Sequence, residues 1–177
     1  MKRISFLPSG QHQSIKDIAE NFETISDSLS YYYTSVESKA LNHPLRTEEE
    51  LSEGYRCSMR ELEMMTCLGL LAAIEALFRL DYIARVEKKL KDPMSQDFRR
   101  IYNRHKLDVR FDDLIKVWKR RRPTFRVYFE RLTVALHFRH WLAHGRYWSP
   151  RLGRRHGYLD IYDLASSIED DVSFEAL

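Results

Sequence analysis

The first apolar residues of the chain recur at alternating steps of three and four positions. Ser14 and Asp17 match the capping box that opens many helices. Asn42-His43-Pro44 should end this helix, because the residue before a proline is pushed out of the helical conformation. The pattern therefore predicts a helix over about 14–41 with a single apolar seam. The seam consists of Ile15, Ile18, Phe22, Ile25, Leu29, Tyr32 and Val36.

A second capping-box pattern, Thr47 with Glu50, opens the next helix. Gly54 is expected to break or bend it, because glycine is a poor helix former. A long helix should then run over about 58–91. It is apolar almost all round over 64–78, which is typical of the central helix of a bundle.

Four further helices complete the pattern, separated by breaks that contain proline or glycine. The elements together predict an all-α fold, an up-and-down antiparallel helical bundle with short additional helices. The length favours a single domain over residues 1–177. The four helices are a short one after Ser95, a second over Asp112–Arg121, a long one from Thr124 to Gly145 and a last one from Asp160 to Ile168.

The composition agrees with a folded helical protein, with 44% hydrophobic and 31% charged residues. The longest mostly apolar run, Met64–Ile74, is much shorter than the stretch of about 20 residues that crosses a bilayer. Cys57 and Cys67 would lie about 15 Å apart on one helix, too far for a disulfide. The N-terminus also lacks the long apolar stretch of a signal peptide. These features predict a cytoplasmic protein with no membrane partner.

The charge is distributed unevenly, although the net charge is only +3. Residues 101–155 contain fifteen Lys and Arg and four acids, whereas residues 156–177 contain six acids and no Lys or Arg. A concentrated basic segment is expected of a protein that binds a polyanion. The alternative is a solvated helix face that the acidic tail partly neutralises. A further hypothesis is that the tail covers a basic cleft as a weak self-inhibitor.

The end of the last long helix carries the most informative residues. His137, His140 and His144 are spaced i, i+3, i+7 and therefore project from one helical face. His140 and His144 match the histidine pair of zinc-binding helices, but Trp141 stands where a zinc protease has glutamate. A metal-binding helical protein is therefore one interpretation of this segment.

The pattern Arg139-x4-His144 also suits RNA cleavage without a metal. Histidine serves either as the base for the ribose 2′-hydroxyl or as the acid for the leaving 5′-oxygen, because its pKa lies near neutrality. Arginine stabilises the negative charge of the phosphorane-like transition state. On an ideal helix the two residues lie about 140° apart, so they converge only if the helix ends near Gly145 or Arg139 reaches around. Spacing alone leaves open a third interpretation, in which the histidines and Trp141 only pack.

Several basic and aromatic residues are candidates for RNA contacts beside this motif. Arg146 is a candidate phosphate contact, and Tyr147 and Trp148 offer rings on which a base can stack. A solvated helix end is the alternative for the basic run before the last long helix. The further candidates are Arg151, Arg154 and Arg155 in the loop and Lys119, Arg120, Arg121 and Arg122 in the basic run.

The segment Phe138-Arg139-His140-Trp141-Leu142-Ala143-His144-Gly145 resembles the signature of the HEPN superfamily, the higher eukaryote and prokaryote nucleotide-binding domains. That signature is Arg, a polar residue, a few apolar residues and His at the end of a late helix. Residues 73–79, which include Glu75, are similar to the Glu-bearing core helix of these domains. Residues 145–168 resemble the C-terminal part of bacterial stand-alone members. The resemblance covers roughly residues 60–170, the expected core, with the N-terminal helix packed on it.

The resemblance implies a function and partners. It implies a homodimer in which the motifs of two subunits face each other across a basic cleft. Active members cleave RNA without a metal or cofactor, and many serve as toxins or antiviral effectors with a nucleotidyltransferase-type antitoxin. Other members have lost catalysis, which makes a non-catalytic RNA-binding or protein-interaction module the alternative.

The resemblance also implies roles for individual residues. Arg139 and His144 become the catalytic pair, and His140 becomes the supporting polar position. Glu75 is a partner that orients Arg139, and a structural Glu75–Arg79 pair is the alternative.

Overall fold

The computed structural model describes residues 11–149 and 156–175, which form seven α-helices, one short 3₁₀ helix and no strand. This confirms the predicted all-α fold. Within these residues, no helix has the length and apolarity that a membrane span requires. The α-helices are α1 (Ile15–Thr34), α2 (Val36–Asn42), α3 (Glu48–Glu87), α4 (Pro93–His105), α5 (Phe111–Arg121), α6 (Arg126–Ala143) and α7 (Tyr158–Asp171), and the 3₁₀ helix is Pro123–Phe125.

Helix α3 is the central element, and α1, α4, α5, α6 and α7 all pack against it. Its N-terminus carries the predicted capping box between Thr47 and Glu50. The prediction that Gly54 breaks this helix is wrong, because α3 runs unbroken for 40 residues. A Cβ atom on Gly54 would lie 2.8 Å from Cε1 of Tyr33. The absence of a side chain at Gly54 therefore leaves room for the ring of Tyr33 of α1 to pack against α3.

The N-terminal segment forms two helices where a single one over 14–41 was expected. Ser14 and Asp17 form the predicted capping box of α1. Ser35 then adopts an extended conformation, and its side chain accepts a hydrogen bond from the backbone N–H of Ser38. Ser35 thereby starts α2 as its N-cap, which breaks the register of the seam. Val36, predicted to lie on the seam, is 82% exposed.

Three later helix starts also differ from the sequence prediction. The last helix, α7, begins at Tyr158 with Gly157 as its N-cap, and not at Asp160. Asp92 caps α4 in place of Ser95, because its side chain accepts from the N–H groups of both Met94 and Ser95. Pro93 then occupies the first helical position, where its missing N–H costs nothing. The 3₁₀ turn precedes α6, so Thr124 lies within that turn and does not cap the helix.

A buried ion pair connects the end of α3 to the C-terminal tail. Arg85 Nε lies 2.7 Å from Asp81 Oδ2, and both side chains are almost fully buried. The backbone N–H of Glu175 donates to Asp81 Oδ1 at 2.7 Å, and the Glu175 carboxylate lies 3.7 Å from Arg85. Burial raises the pKa of Asp81. These contacts hold the tail because a buried charge needs partners.

The tail is part of the hydrophobic core. The Phe174 ring lies edge-on to Phe78, with 5.2 Å between centroids, and 5.4 Å from the ring of Trp118. Val172 is also buried. Residues 172–175 therefore pack against the core, which argues against the hypothesis that the acidic tail covers a basic cleft.

Replacing Phe174 tests this role of the tail. We expect Phe174→Ala to lower the free energy of unfolding by about 3 kcal/mol, because it removes a ring packed between two aromatic side chains. Urea denaturation followed by circular dichroism measures the change. Ser173→Ala, an exposed neighbour in the same tail, is the control and should leave the midpoint unchanged. Equal midpoints for the two variants would contradict the packing.

Candidate functional site

The motif helix α6 ends where the sequence predicted. Ala143 is its last residue, His144 is the C-cap, and Gly145 has a left-handed φ of +80°. The N–H of Arg146 donates to the carbonyl of Trp141 at 3.2 Å, which is the six-to-one bond of a Schellman motif. The chain therefore turns sharply away directly after His144.

Two exposed imidazoles lie together at this helix end. The ring centroids of His140 and His144 are 4.2 Å apart. The backbone N–H of His144 donates to the carbonyl of His140, so one last helical turn sets the distance between the rings. Two neighbouring imidazoles suit acid–base chemistry, because a histidine side chain can either donate or accept a proton.

Glu75 of α3 holds the arginine of the motif. Arg139 Nη2 lies 3.0 Å from Glu75 Oε2, and the Arg139 side chain is 37% exposed. The other carboxylate oxygen, Oε1, accepts from Arg79 Nε at 2.8 Å and lies 2.7 Å from Arg79 Nη2. Both contacts considered for Glu75 from the sequence are therefore present. One carboxylate bridges two guanidinium groups and fixes the direction of Arg139.

Arg79 is itself anchored. Its Nη1 donates to the carbonyl of Val109 at 3.2 Å, in the segment that leads into α5. Its guanidinium carbon also lies 6.0 Å from the centroid of the Phe111 ring. The orientation of Arg139 thus depends on α3 and on the start of α5.

A cleft of about 660 Å³ lies between α3, α5 and α6, and we call it the basic cleft. Arg139 and His140 are on its wall. His144 does not line the basic cleft, but its ring lies 4.2 Å from that of His140. Its lining consists of Glu75, Arg79, Arg110, Phe111, Asp112, Ile115, Lys116, Lys119, Thr133, Leu136, His137, Arg139 and His140.

The predicted basic run at the end of α5 is divided by the fold. Lys119 lines the basic cleft, where its Nζ donates to Thr133 Oγ1 at 2.9 Å. Arg120 and Arg121 instead bind Asp97 of α4, at 2.8 and 2.7 Å. Arg121 and Arg120 lower the pKa of Asp97. Arg122 is exposed at the C-cap of α5.

Sequence reasoning did not single out two cations of the basic cleft, Arg110 and Lys116. Lys116 precedes Lys119 by one helical turn, so the spacing i, i+3 on α5 was a usable signal. Arg110 precedes the helix, and its place in the cleft depends on how α5 packs. Glu61 was also missed, because its partner is 85 residues away.

The loop after α6 is fixed to the bundle by Arg146. Its Nη1 and Nη2 donate to Glu61 Oε1 and Oε2 at 2.9 and 2.8 Å, so the candidate phosphate contact is engaged by a carboxylate. Trp141 Nε1 donates to the carbonyl of Trp148 at 2.7 Å. Tyr147 is 84% exposed, with its ring edge-on to that of Trp148. Tyr147 is therefore the better placed of the two rings for stacking on a ligand.

Three candidate RNA contacts, Arg151, Arg154 and Arg155, lie outside the described residues. Within residues 11–149 and 156–175, no group of three His, Cys, Asp or Glu side chains lies close enough together to hold a metal ion. His137, His140 and His144 therefore do not form such a group.

Burial raises the pKa of Cys67 to about 12, so its thiol is protonated at neutral pH.

Comparison with protein-family models, with curated proteins and with solved structures found no match to this chain.

The Arg146–Glu61 contact generates a prediction about pH. Hydrogen bonding to Arg146 lowers the pKa of Glu61. A carboxyl group whose pKa is lower in the folded state than in the unfolded state stabilises the fold at pH values above its ordinary pKa. This stabilisation is lost as the pH falls through the lowered pKa. Arg146→Gln should therefore raise the pKa of Glu61 toward its ordinary value in an NMR titration of the carboxyl carbon. Arg126→Gln, which removes the equivalent partner of Glu130, should move Glu130 and leave Glu61 unchanged.

Proposed function

We propose that this protein is a metal-independent endoribonuclease of the HEPN type that cleaves single-stranded RNA. One observation carries the proposal: Glu75 holds Arg139 on the wall of the basic cleft, and the exposed His140–His144 pair ends the same helix. A fixed guanidinium and a pair of exposed imidazoles on one helix are the groups that transesterification of RNA needs without a metal.

The reaction proceeds by attack of the ribose 2′-oxygen on the adjacent phosphorus. A base removes the proton of the 2′-hydroxyl, the new P–O bond forms, and the bond to the 5′-oxygen breaks. An acid gives that oxygen a proton, which leaves a 2′,3′-cyclic phosphate and a 5′-hydroxyl. We assign the acid or base role to His144, with His140 as its neighbouring donor, and assign the phosphate contact to Arg139.

The surroundings of the motif support a polyanionic substrate. The described lining of the basic cleft contains five Lys or Arg side chains and two carboxylates. Tyr147 is exposed and packs edge-on against Trp148, whose ring lies 5.9 Å from that of His140, so Tyr147 suits the stacking of an unpaired base. An unpaired base is accessible in single-stranded RNA, which is the reason for this substrate class.

The proposal extends to the assembly and the cellular role. A homodimer would bring two motifs together across one cleft. A cytoplasmic toxin or antiviral effector with a nucleotidyltransferase-type antitoxin is the context that the resemblance implies. An unregulated ribonuclease harms its own cell, which is why a controlling partner belongs to the proposal.

A non-catalytic RNA-binding module of the same fold is the second candidate. The contact that favours it is the Arg139–Glu75 salt bridge, which compensates part of the charge that a transition-state contact would use. RNA binding requires the basic cleft but does not require His144.

Cleavage of end-labelled single-stranded RNA in EDTA tests the proposal. The wild type should produce cyclic-phosphate ends, and His144→Ala and Arg139→Ala should each lower the rate by about 100-fold or more. His12→Ala and Arg46→Ala replace exposed residues at the opposite end of the sequence and should retain the wild-type rate.

Two results would contradict the nuclease. Cleavage that persists in both motif variants would come from another site or a contaminant. Absence of cleavage together with salt-sensitive RNA binding would favour the non-catalytic module, because phosphate contacts weaken as salt rises.

A further inference from the structure

We propose that Lys119 binds a phosphate next to the scissile one, so that the preferred substrate is an RNA segment of at least three nucleotides. The inference rests on the proposed function and specifies how the same cleft holds its substrate.

The charges of the basic cleft do not balance. Arg79 and Arg139 share the single carboxylate of Glu75. Outside that cluster, Arg110 lies 3.5 Å from Asp112 and Lys116 lies 2.8 Å from Asp113, so those two cations each have a carboxylate. Within the part of the chain that the structure describes, positive charge therefore remains at two places, the Arg79–Arg139 pair and Lys119.

Lys119 has a neutral partner. Its Nζ donates to the hydroxyl of Thr133 at 2.9 Å. The hydrogen bond from Arg126, and to a smaller extent the charge of Lys119, lower the pKa of Glu130. The Glu130 carboxylate therefore already has a partner, since Arg126 Nε lies 2.7 Å from it. The preceding residue, Trp118, is fully buried in the core and fixes the position of the backbone. An ammonium group held in place with a hydroxyl beside it still has the capacity to bind an anion.

Lys119 of α5 contacts α6 at Thr133, well before the motif at the end of that helix. Thr133, which marks the place of its Nζ, precedes His140 by seven residues, or about 10.5 Å of helix. Thr133, His137 and His140 all line the same cleft, so the path from Lys119 to the motif follows one face of α6. Hydrogen bonds to phosphate oxygens span about 3 Å, which is short compared with this rise along the helix, so we assign separate phosphates to Lys119 and to His140. The anion at Lys119 is therefore a second phosphate of the same strand.

The test compares two ligand lengths. A 2′-O-methyl hexanucleotide has several phosphates and no 2′-hydroxyl for cleavage, whereas a 2′-O-methyl dinucleoside monophosphate has only one phosphate. Binding of each to the full chain is measured by calorimetry. Lys119→Gln should weaken hexanucleotide binding about tenfold and leave dinucleotide binding unchanged, as expected for one charge-assisted contact.

Two further variants separate charge from structure. Lys119→Arg keeps the positive charge and should retain most of the hexanucleotide affinity. Lys16→Gln removes an exposed lysine from α1 and should change neither affinity. Equal weakening of both ligands by Lys119→Gln, or no weakening of either, would overturn the inference.

Cleavage of the unmodified RNAs keeps this inference distinct from the proposed function. For a nuclease, Lys119→Gln should lower kcat/KM for the hexanucleotide about tenfold and spare the dinucleotide. If the wild type cleaves neither RNA but Lys119 still determines hexanucleotide binding, the nuclease proposal fails and the phosphate site stands.

Discussion

The packing of helix α3 is the constraint on which the rest of the structure depends. Leu70, Leu71, Ile74 and Phe78 are all completely buried, so other helices must enclose the centre of α3. The same enclosure surrounds polar side chains of α3 and requires partners for them. At its C-terminal end, Asp81 and Arg85 form a buried ion pair, and Asp81 also accepts from the backbone of the C-terminal tail.

Glu75 meets the same requirement nearly two turns earlier, where α3 borders the basic cleft. Its side chain is 15% exposed, and its two oxygens are taken by Arg79 and Arg139. The ion pairs that satisfy this largely buried carboxylate therefore also direct Arg139 at the cleft wall. Removing Glu75 would affect helix packing and the proposed chemistry together, so stability must be measured beside activity in any variant of this residue.

The distribution of charge in the folded chain differs from its distribution along the sequence. The basic segment 101–155 appears continuous, but Asp97 binds two of its arginines and Glu61 binds a third. The acidic segment 156–177 neutralises part of this basic segment, since Asp163 lies 2.8 Å from Arg131, while residues 172–175 are held by α3 and the core. Five Lys or Arg side chains of the described residues line one cleft whose walls come from three helices. A cleft lined mainly by one sign of charge concentrates the electrostatic field more than an open helix face does.

The sequence by itself determined the all-α fold, the capping boxes at Ser14 and Thr47 and the end of α6 at Gly145, because periodicity and capping depend on residues within one or two turns. It did not determine that α3 continues through Gly54, since that depends on Tyr33 of another helix. It also left open whether Glu75 binds Arg79 or Arg139. Only the tertiary structure decided that it binds both, and that Arg146 binds Glu61, because charge pairing between helices depends on their packing and not on sequence spacing.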